Sequence, residues 1–240
     1  MNQISLYHGT DTRIIKMKKE EREQYLKDCN LVIDSLFPYY KPLLQWEEVN
    51  IMVDGKTVVA HQYGLKKYEK ILNEKGGQFM YVNLYEKLTM LDARNNGSGW
   101  YQYDDLYLCS SKRSAMNYAQ RSYAGGETGL MAYRLIQGAD IICFDNYSPD
   151  SNIKQVIERI KDFAKEGNER PAIVTIDDVD LTCLSFEDGK PLEKDDIEDW
   201  FEYKRKSDYK FRYTKQIELR DYKVENLDKE LFKKIIEEEK

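Results

Sequence analysis

Histidine is almost absent from this chain: His8 and His61 are the only two in 240 residues. Proline is nearly as scarce, at five, and no Pro-rich or Gly/Ser-rich stretch divides the sequence. Nothing therefore marks a linker, and the expectation is a single globular domain over residues 1–240, long enough to bury a core without covalent staples. The four cysteines, Cys29, Cys109, Cys143 and Cys183, form no CxxC and no Cys/His pair at metal-ligand spacing, which speaks for a reduced protein without a metal and against a disulfide framework. No run of about 18 apolar residues occurs. No basic segment followed by an apolar one opens the chain, so a cytoplasmic protein is expected, although a specialised secretion route would leave no such mark. The phosphate loop GxxxxGK[ST] and the dinucleotide fingerprint GxGxxG are both missing. A net charge of -6 argues against general nucleic-acid binding by phosphate neutralisation.

What is abundant is tyrosine, 19 residues of it, and a dense alternation of short apolar segments. Ile4, Leu6 and His8 alternate with polar neighbours, which predicts a strand ending at Gly9 with His8 on the face of Leu6. Helical spacing from Lys18 to Leu36, closed by Pro38, predicts an amphipathic helix, part of a helical elaboration near residues 14–45. "NIMVDGKTVVAHQ" reads as a hairpin about Asp54-Gly55, "GLKKYEKILNEKGG" as a short helix, and "FMYVNLY" as a strand. In "LYLCSSKRSAMNYA" a strand over Leu106–Cys109 turns directly into a helix capped by Ser110 or Ser111. "GLMAYRLI" and "DIICFD" read as strands around Gly138, and a clear helix follows from about Ser151 to Gly167. "PAIVTI", "LTCLSF" and "YKFRYTKQIELRDY" read as strands, "KDDIEDWFEYKRKS" and "DKELFKKIIEEEK" as helices. Strands joined without intervening helices place the chain in the α+β class.

Three stretches stand out together: "LYHGT", "LYLCSSKRSAMNYA" and "YTKQIELRDYKVENL", at the start, middle and end of the chain, each at the border of a strand. In this combination and order the sequence resembles the ADP-ribosyltransferase superfamily, on the His-Tyr-Glu side that includes the poly(ADP-ribose) polymerases and diphtheria-toxin-like enzymes. The resemblance implies a split, strongly twisted β-sheet core with helices around it, NAD+ as co-substrate, and transfer of ADP-ribose to a protein or nucleic-acid acceptor. His8 would donate a hydrogen bond from its ring to the adenosine-side ribose, the backbone of Gly9 would bond the nicotinamide carboxamide, and Thr10 would line the same pocket. Tyr107 would pack at the nicotinamide end, and Tyr118 would stack on the ring. Such stand-alone transferases are common as bacterial or phage toxins and defence effectors.

The third motif departs from the family's pattern. Gln216 stands where the family usually has glutamate, and Glu218, two residues on, shares its strand face. The pair fits a Gln-x-Glu arrangement and mono-ADP-ribosylation, with Glu218 as the carboxylate and Gln216 orienting the acceptor, and the place of third catalytic residue open between them. A catalytically silent module binding NAD+, ADP-ribose or a protein is the alternative, as is an NAD+ glycohydrolase. An RNA 2'-phosphotransferase, a related fold, would need a set of arginines that is not evident. His61 reads as a structural or exposed residue, and the acidic runs at 177–180 and 195–199 as solvated loops without calcium-loop spacing. The basic, aromatic stretch 204–215 suits NAD+ phosphates, an acidic target, a nucleic acid or a plain strand edge. Acceptor and oligomeric state are not encoded in any of these features.

Overall fold

A computed structural model describes residues 5–97, 106–167, 171–177, 179, 181–186, 189–193, 195–196, 210–213 and 222–238. The architecture is α+β. The chain divides into two compact units, one of Met1–Glu23, Trp100–Leu130 and Asp162–Lys240, the other of Gln24–Gly99 and Met131–Lys161.

The first unit is built on an antiparallel six-stranded sheet. Its strands are β1 (Leu6–Asp11), β4 (Leu106–Cys109), β5 (Pro171–Ile176), β6 (Leu184–Phe186), β7 (Lys210–Tyr213) and β8 (Tyr222–Asn226), in spatial order β6-β7-β4-β1-β5-β8. One face gathers Leu6, Leu108, Val174, Ile176, Leu184 and Phe211. The opposite face packs Cys109 and Ile173 against α5 (Lys112–Arg121) and α8 (Lys229–Glu238) through Ala115, Met116 and Ile235. β1 runs two residues past the expected stop at Gly9, because all six of its residues pair with β5. Asp11 then caps α1 (Thr12–Lys16), accepting from the N–H of Arg13 at 2.7 Å.

The second unit holds a two-stranded hairpin and most of the long helices. In the hairpin, β2 (Trp46–Val53) and β3 (Lys56–Tyr63) pair along their full length, with Asp54 and Gly55 both at positive φ in the turn that Asp-Gly favours. α3 (Glu69–Gly76) follows. α2 (Lys19–Tyr40) passes through Pro38, contrary to the expected stop. Pro38 lies on the solvent side of the last turn, while Phe37 and Tyr40 beside it are buried and the Tyr40 hydroxyl donates to the Leu135 carbonyl at 2.6 Å. Packing on the inner side outweighs the backbone bond that proline removes.

Three expected strands do not form, and their residues lie wholly or partly in helices. "FMYVNLY" opens α4 (Met80–Asn95), in which Met80, Leu84, Leu88 and Leu91 form one buried stripe while Phe79 and Val82 point to solvent. "GLMAYRLI" and the start of "DIICFD" lie in α6 (Gly126–Ile142), which buries Met131, Ala132, Leu135, Ile136 and Ala139 and runs straight through Gly138. A Cβ on Gly138 would stand 2.5 Å from the Tyr40 hydroxyl and 2.7 Å from a Leu84 methyl, so this glycine lets helices approach and does not break one. α7 (Ser151–Gly167) starts as expected, with Asp150 accepting from the Ile153 N–H at 2.9 Å. In "LTCLSF" only Leu184–Phe186 is strand, after a 3-10 turn at Leu181–Cys183. The helix expected in "KDDIEDWFEYKRKS" lies almost wholly outside the described residues, as does the middle of "YKFRYTKQIELRDY".

Candidate functional site

The site grows from a place where two strands stop pairing. Among the described residues β1 and β4 are joined at one residue pair, Tyr7 opposite Cys109. Continuing that register would set Gly9 opposite Tyr107, but no such pair forms. Instead the Nδ1–H of His8 donates to the Tyr107 carbonyl at 2.8 Å. Burial lowers the pKa of His8, and the bond to the Tyr107 carbonyl works in the opposite direction without outweighing it. The ring is therefore neutral near pH 7. Because a carbonyl only accepts, the proton sits on Nδ1 and Nε2 keeps its lone pair, with no other hydrogen bond to the ring among the described residues.

Strand parity sorts the other expected site residues. His8 leaves β1 on the apolar face of Leu6, as the alternation predicted, and Thr10 follows it there, 6% exposed. Tyr107 leaves β4 on the other face, with Cys109 and the helices. His8 and Tyr107 thus share a hydrogen bond through the backbone while their side chains flank the strand gap from opposite sides. Gly9 lies between them. A Cβ there would stand 1.8 Å from the Ala115 carbonyl oxygen and 2.5 Å from the Ala119 nitrogen, so glycine is required first because α5 crosses β1 in direct backbone contact. Ala115 and Ala119 are small and buried for the same reason.

The strand-to-helix turn forms as read. Ser111 is the cap, accepting from the Ser114 N–H at 3.1 Å. Tyr118 packs, partly buried, against the cluster of Cys109, Met116 and Ile173. Lys210 holds its ammonium 5.4 Å from the centroid of the Tyr118 ring, so this ring attracts a cation. Gln216 and Glu218 lie outside the described residues. The strand beside β4 is Lys210–Tyr213, and on the face of Tyr107 it carries Lys210 and Arg212.

Two networks escaped the sequence reading. Asp11, fully buried, binds the guanidinium of Arg13 at 2.9 Å, and Arg13 also donates to the carbonyls of Phe163 at 2.6 Å and Tyr123 at 2.9 Å, its guanidinium lying 3.8 Å over the Phe163 ring. This clamp fixes the end of β1 just beyond Gly9. Lys112, the first residue of α5, pairs with Glu225 on β8 at 2.9 Å, and Lys223 adds a second contact at 3.2 Å. The hydrogen bond from Lys112 holds the Glu225 carboxyl below its ordinary range. "TDTR" immediately after a strand was the available signal for the first network. The second joins residues too distant in sequence to leave one.

His61 is exposed, its Nε2 3.5 Å from Glu48. Among the described residues no three His, Cys, Asp or Glu side chains gather as a metal site, the four cysteines are unbridged, and no helix is long and apolar enough to cross a membrane. Compared with protein-family models, with curated proteins and with solved structures, the chain finds no match.

Proposed function

We propose that this chain is a mono-ADP-ribosyltransferase that binds NAD+ in the gap between β1 and β4 and transfers ADP-ribose to a macromolecule. The observation that carries the reading is the interrupted ladder at His8: its ring takes the Tyr107 carbonyl, so the edge of Gly9 toward β4 has no strand partner in the continued register. An open peptide edge suits a carboxamide, which both donates and accepts, like a strand residue. Tyr118, with its affinity for a cation, is placed on the helix that closes this region, where nicotinamide in NAD+ carries positive charge.

The tautomer sharpens the role of His8. With Nδ1–H given to Tyr107, Nε2 accepts, so a ribose hydroxyl donates to the ring and not the reverse. His8 then orients the ribose while Gly9 holds the leaving group. Negative charge near the anomeric carbon stabilises the positive charge that develops as nicotinamide departs; within this chain Glu218 is the candidate for that task, with Gln216 orienting the acceptor or holding a ribose hydroxyl.

Incubation with labelled NAD+ and a cell lysate tests the reading, with nicotinamide release and label in protein or nucleic acid followed together. The wild-type chain is expected to do both, and His8→Ala to lose at least about tenfold of each. Gln216→Ala and Glu218→Ala tell which member of the pair acts. Nicotinamide release without transferred label would make the chain a glycohydrolase. NAD+ binding without release would leave a silent module.

A further inference from the structure

The row of side chains that ends at the strand gap carries a cation and an unsatisfied hydroxyl. Arg212 stands opposite Tyr107 across β4 and β7, and opposite Ser185 across β6 and β7. Ser185, Arg212 and Tyr107 therefore project from one face in a line toward the edge of Gly9, with neighbouring Cβ atoms about 5 Å apart. Ser185 is 6% exposed, and its hydroxyl is buried without a hydrogen-bond partner. Natural interiors rarely leave such a group unmet. Lys210 projects from the same face of β7. No described carboxylate stands on this row before the gap. Beyond it, Glu225, opposite Ile173, is already engaged by Lys112 and Lys223.

Resting on the transferase reading, we propose that the ADP-ribose acceptor is a carboxylate, the side chain of an aspartate or glutamate in a target protein, held by Arg212 and Ser185 beside Tyr107. A guanidinium has five N–H donors in a planar fork that matches a carboxylate, so it takes this ligand together with other partners. The serine hydroxyl donates to the same group. A carboxylate is ionised at neutral pH and attacks without a general base. One of its oxygens gives an electron pair to C1' of the nicotinamide ribose as the bond from C1' to the pyridinium nitrogen breaks. That bond's electrons stay on the nitrogen and neutralise it. Nicotinamide leaves, an ester remains, and no proton moves. The acceptor also brings to C1' the negative charge that the described residues of this row do not supply. An arginine acceptor would face Arg212 and Lys210 and would have to lose a proton.

The test uses the whole chain with three probes: a fluorescent glutamate-rich peptide, an arginine-rich peptide of the same length, and a 5'-phosphorylated oligonucleotide. Binding is measured by anisotropy without NAD+, and transfer from labelled NAD+ in parallel. The wild-type chain is expected to bind and label the glutamate peptide in preference to the others, with the label released by neutral hydroxylamine as an ester. Arg212→Lys keeps that preference, Ser185→Ala weakens binding of the glutamate peptide, and Arg212→Glu lowers the ratio of glutamate to arginine peptide by about tenfold or more. Circular dichroism checks that the variants fold, and the wild-type preference stands as a test whether or not they do. Label on the arginine peptide or the oligonucleotide, or label resistant to hydroxylamine, overturns the proposal and leaves the transferase reading intact. Weaker NAD+ binding in Arg212→Glu at an unchanged peptide ratio also overturns it, and assigns the row to the diphosphate of NAD+. Neither NAD+ binding nor nicotinamide release by the wild-type chain overturns both.

Discussion

The six-stranded sheet and the β2–β3 hairpin follow the same alternation and reach opposite environments. In the sheet, Ala172, Ile173 and Val174 are buried in succession, because β5 is covered on both faces. In the hairpin, Trp46, Met52 and Val59 are 61%, 68% and 57% exposed on the same sort of pleat. Two strands alone have no layer to pack between. Alternation specifies a strand; whether its apolar residues add stability depends on what the rest of the chain lays over them.

Two of the close-packed glycines, one in each unit, give the same lesson. Gly9 faces the backbone of α5, and Gly138 faces the ends of the Tyr40 and Leu84 side chains. Backbone cannot yield where side chains can.

The clamp at the end of β1 sets the top of the expected scale. Arg13→Ala leaves the buried Asp11 without a counter-charge, keeping only its backbone N–H bond, and is expected to cost about 3 kcal/mol, read from urea unfolding of the whole chain; a cost under about 1 kcal/mol would mean that water reaches Asp11. Gly9→Ala follows at about 3 kcal/mol, since α5 must lift from β1. Gly138→Ala should cost only about 1 kcal/mol, because Tyr40 and Leu84 can shift and alanine returns helix propensity. Equal losses at the two glycines would erase the distinction between backbone and side-chain contact.

His8 adds a pH signature to the sheet unit. Its folded pKa lies below the ordinary value of 6.5, so under that pH the unfolded chain takes up a proton that the folded ring refuses. Stability is whole above 6.5, falls as the pH drops from there toward the folded value, and then levels. In His8→Gln this limb should flatten, measured by melting temperature against pH; an unchanged limb would place the titration elsewhere. The smallest effects belong to the hairpin, where Met52→Thr and Val59→Thr are expected within about 0.5 kcal/mol of wild type. A larger loss would show that a further surface covers the hairpin.

Much of the framework was legible. The Asp54-Gly55 hairpin, a serine cap after Leu106–Cys109, the helix from Ser151 and the terminal helix follow from turn chemistry and local period, which act within a few residues; that the cap is Ser111 and not Ser110 came from the structure. His8 on the face of Leu6 also followed from alternation. "FMYVNLY" misled because its strand-forming Val82 faces solvent on a helix that Phe79, also exposed, immediately precedes, and the helix's buried stripe extends to Leu91, beyond so short a window. Gly138 misled because a glycine that makes room looks, in sequence, like a glycine that breaks a helix.

The sequence by itself determined that a strand over Leu106–Cys109 turns into a helix capped by one of two serines, that Asp54-Gly55 closes a hairpin, and that His8, Gly9 and the Tyr107–Tyr118 segment belong to strand borders, since each rests on backbone conformation and side chains a few residues apart. Only the tertiary structure decided that β1 and β4 part beside His8, that its ring gives Nδ1–H to Tyr107, and that Arg212 and Ser185 share the row leading to that gap. Those relations join residues 27 positions apart, for Ser185 and Arg212, and 99, for His8 and Tyr107, and their register is fixed by the packing of the whole sheet against its helices, a term that no local stretch of sequence contains.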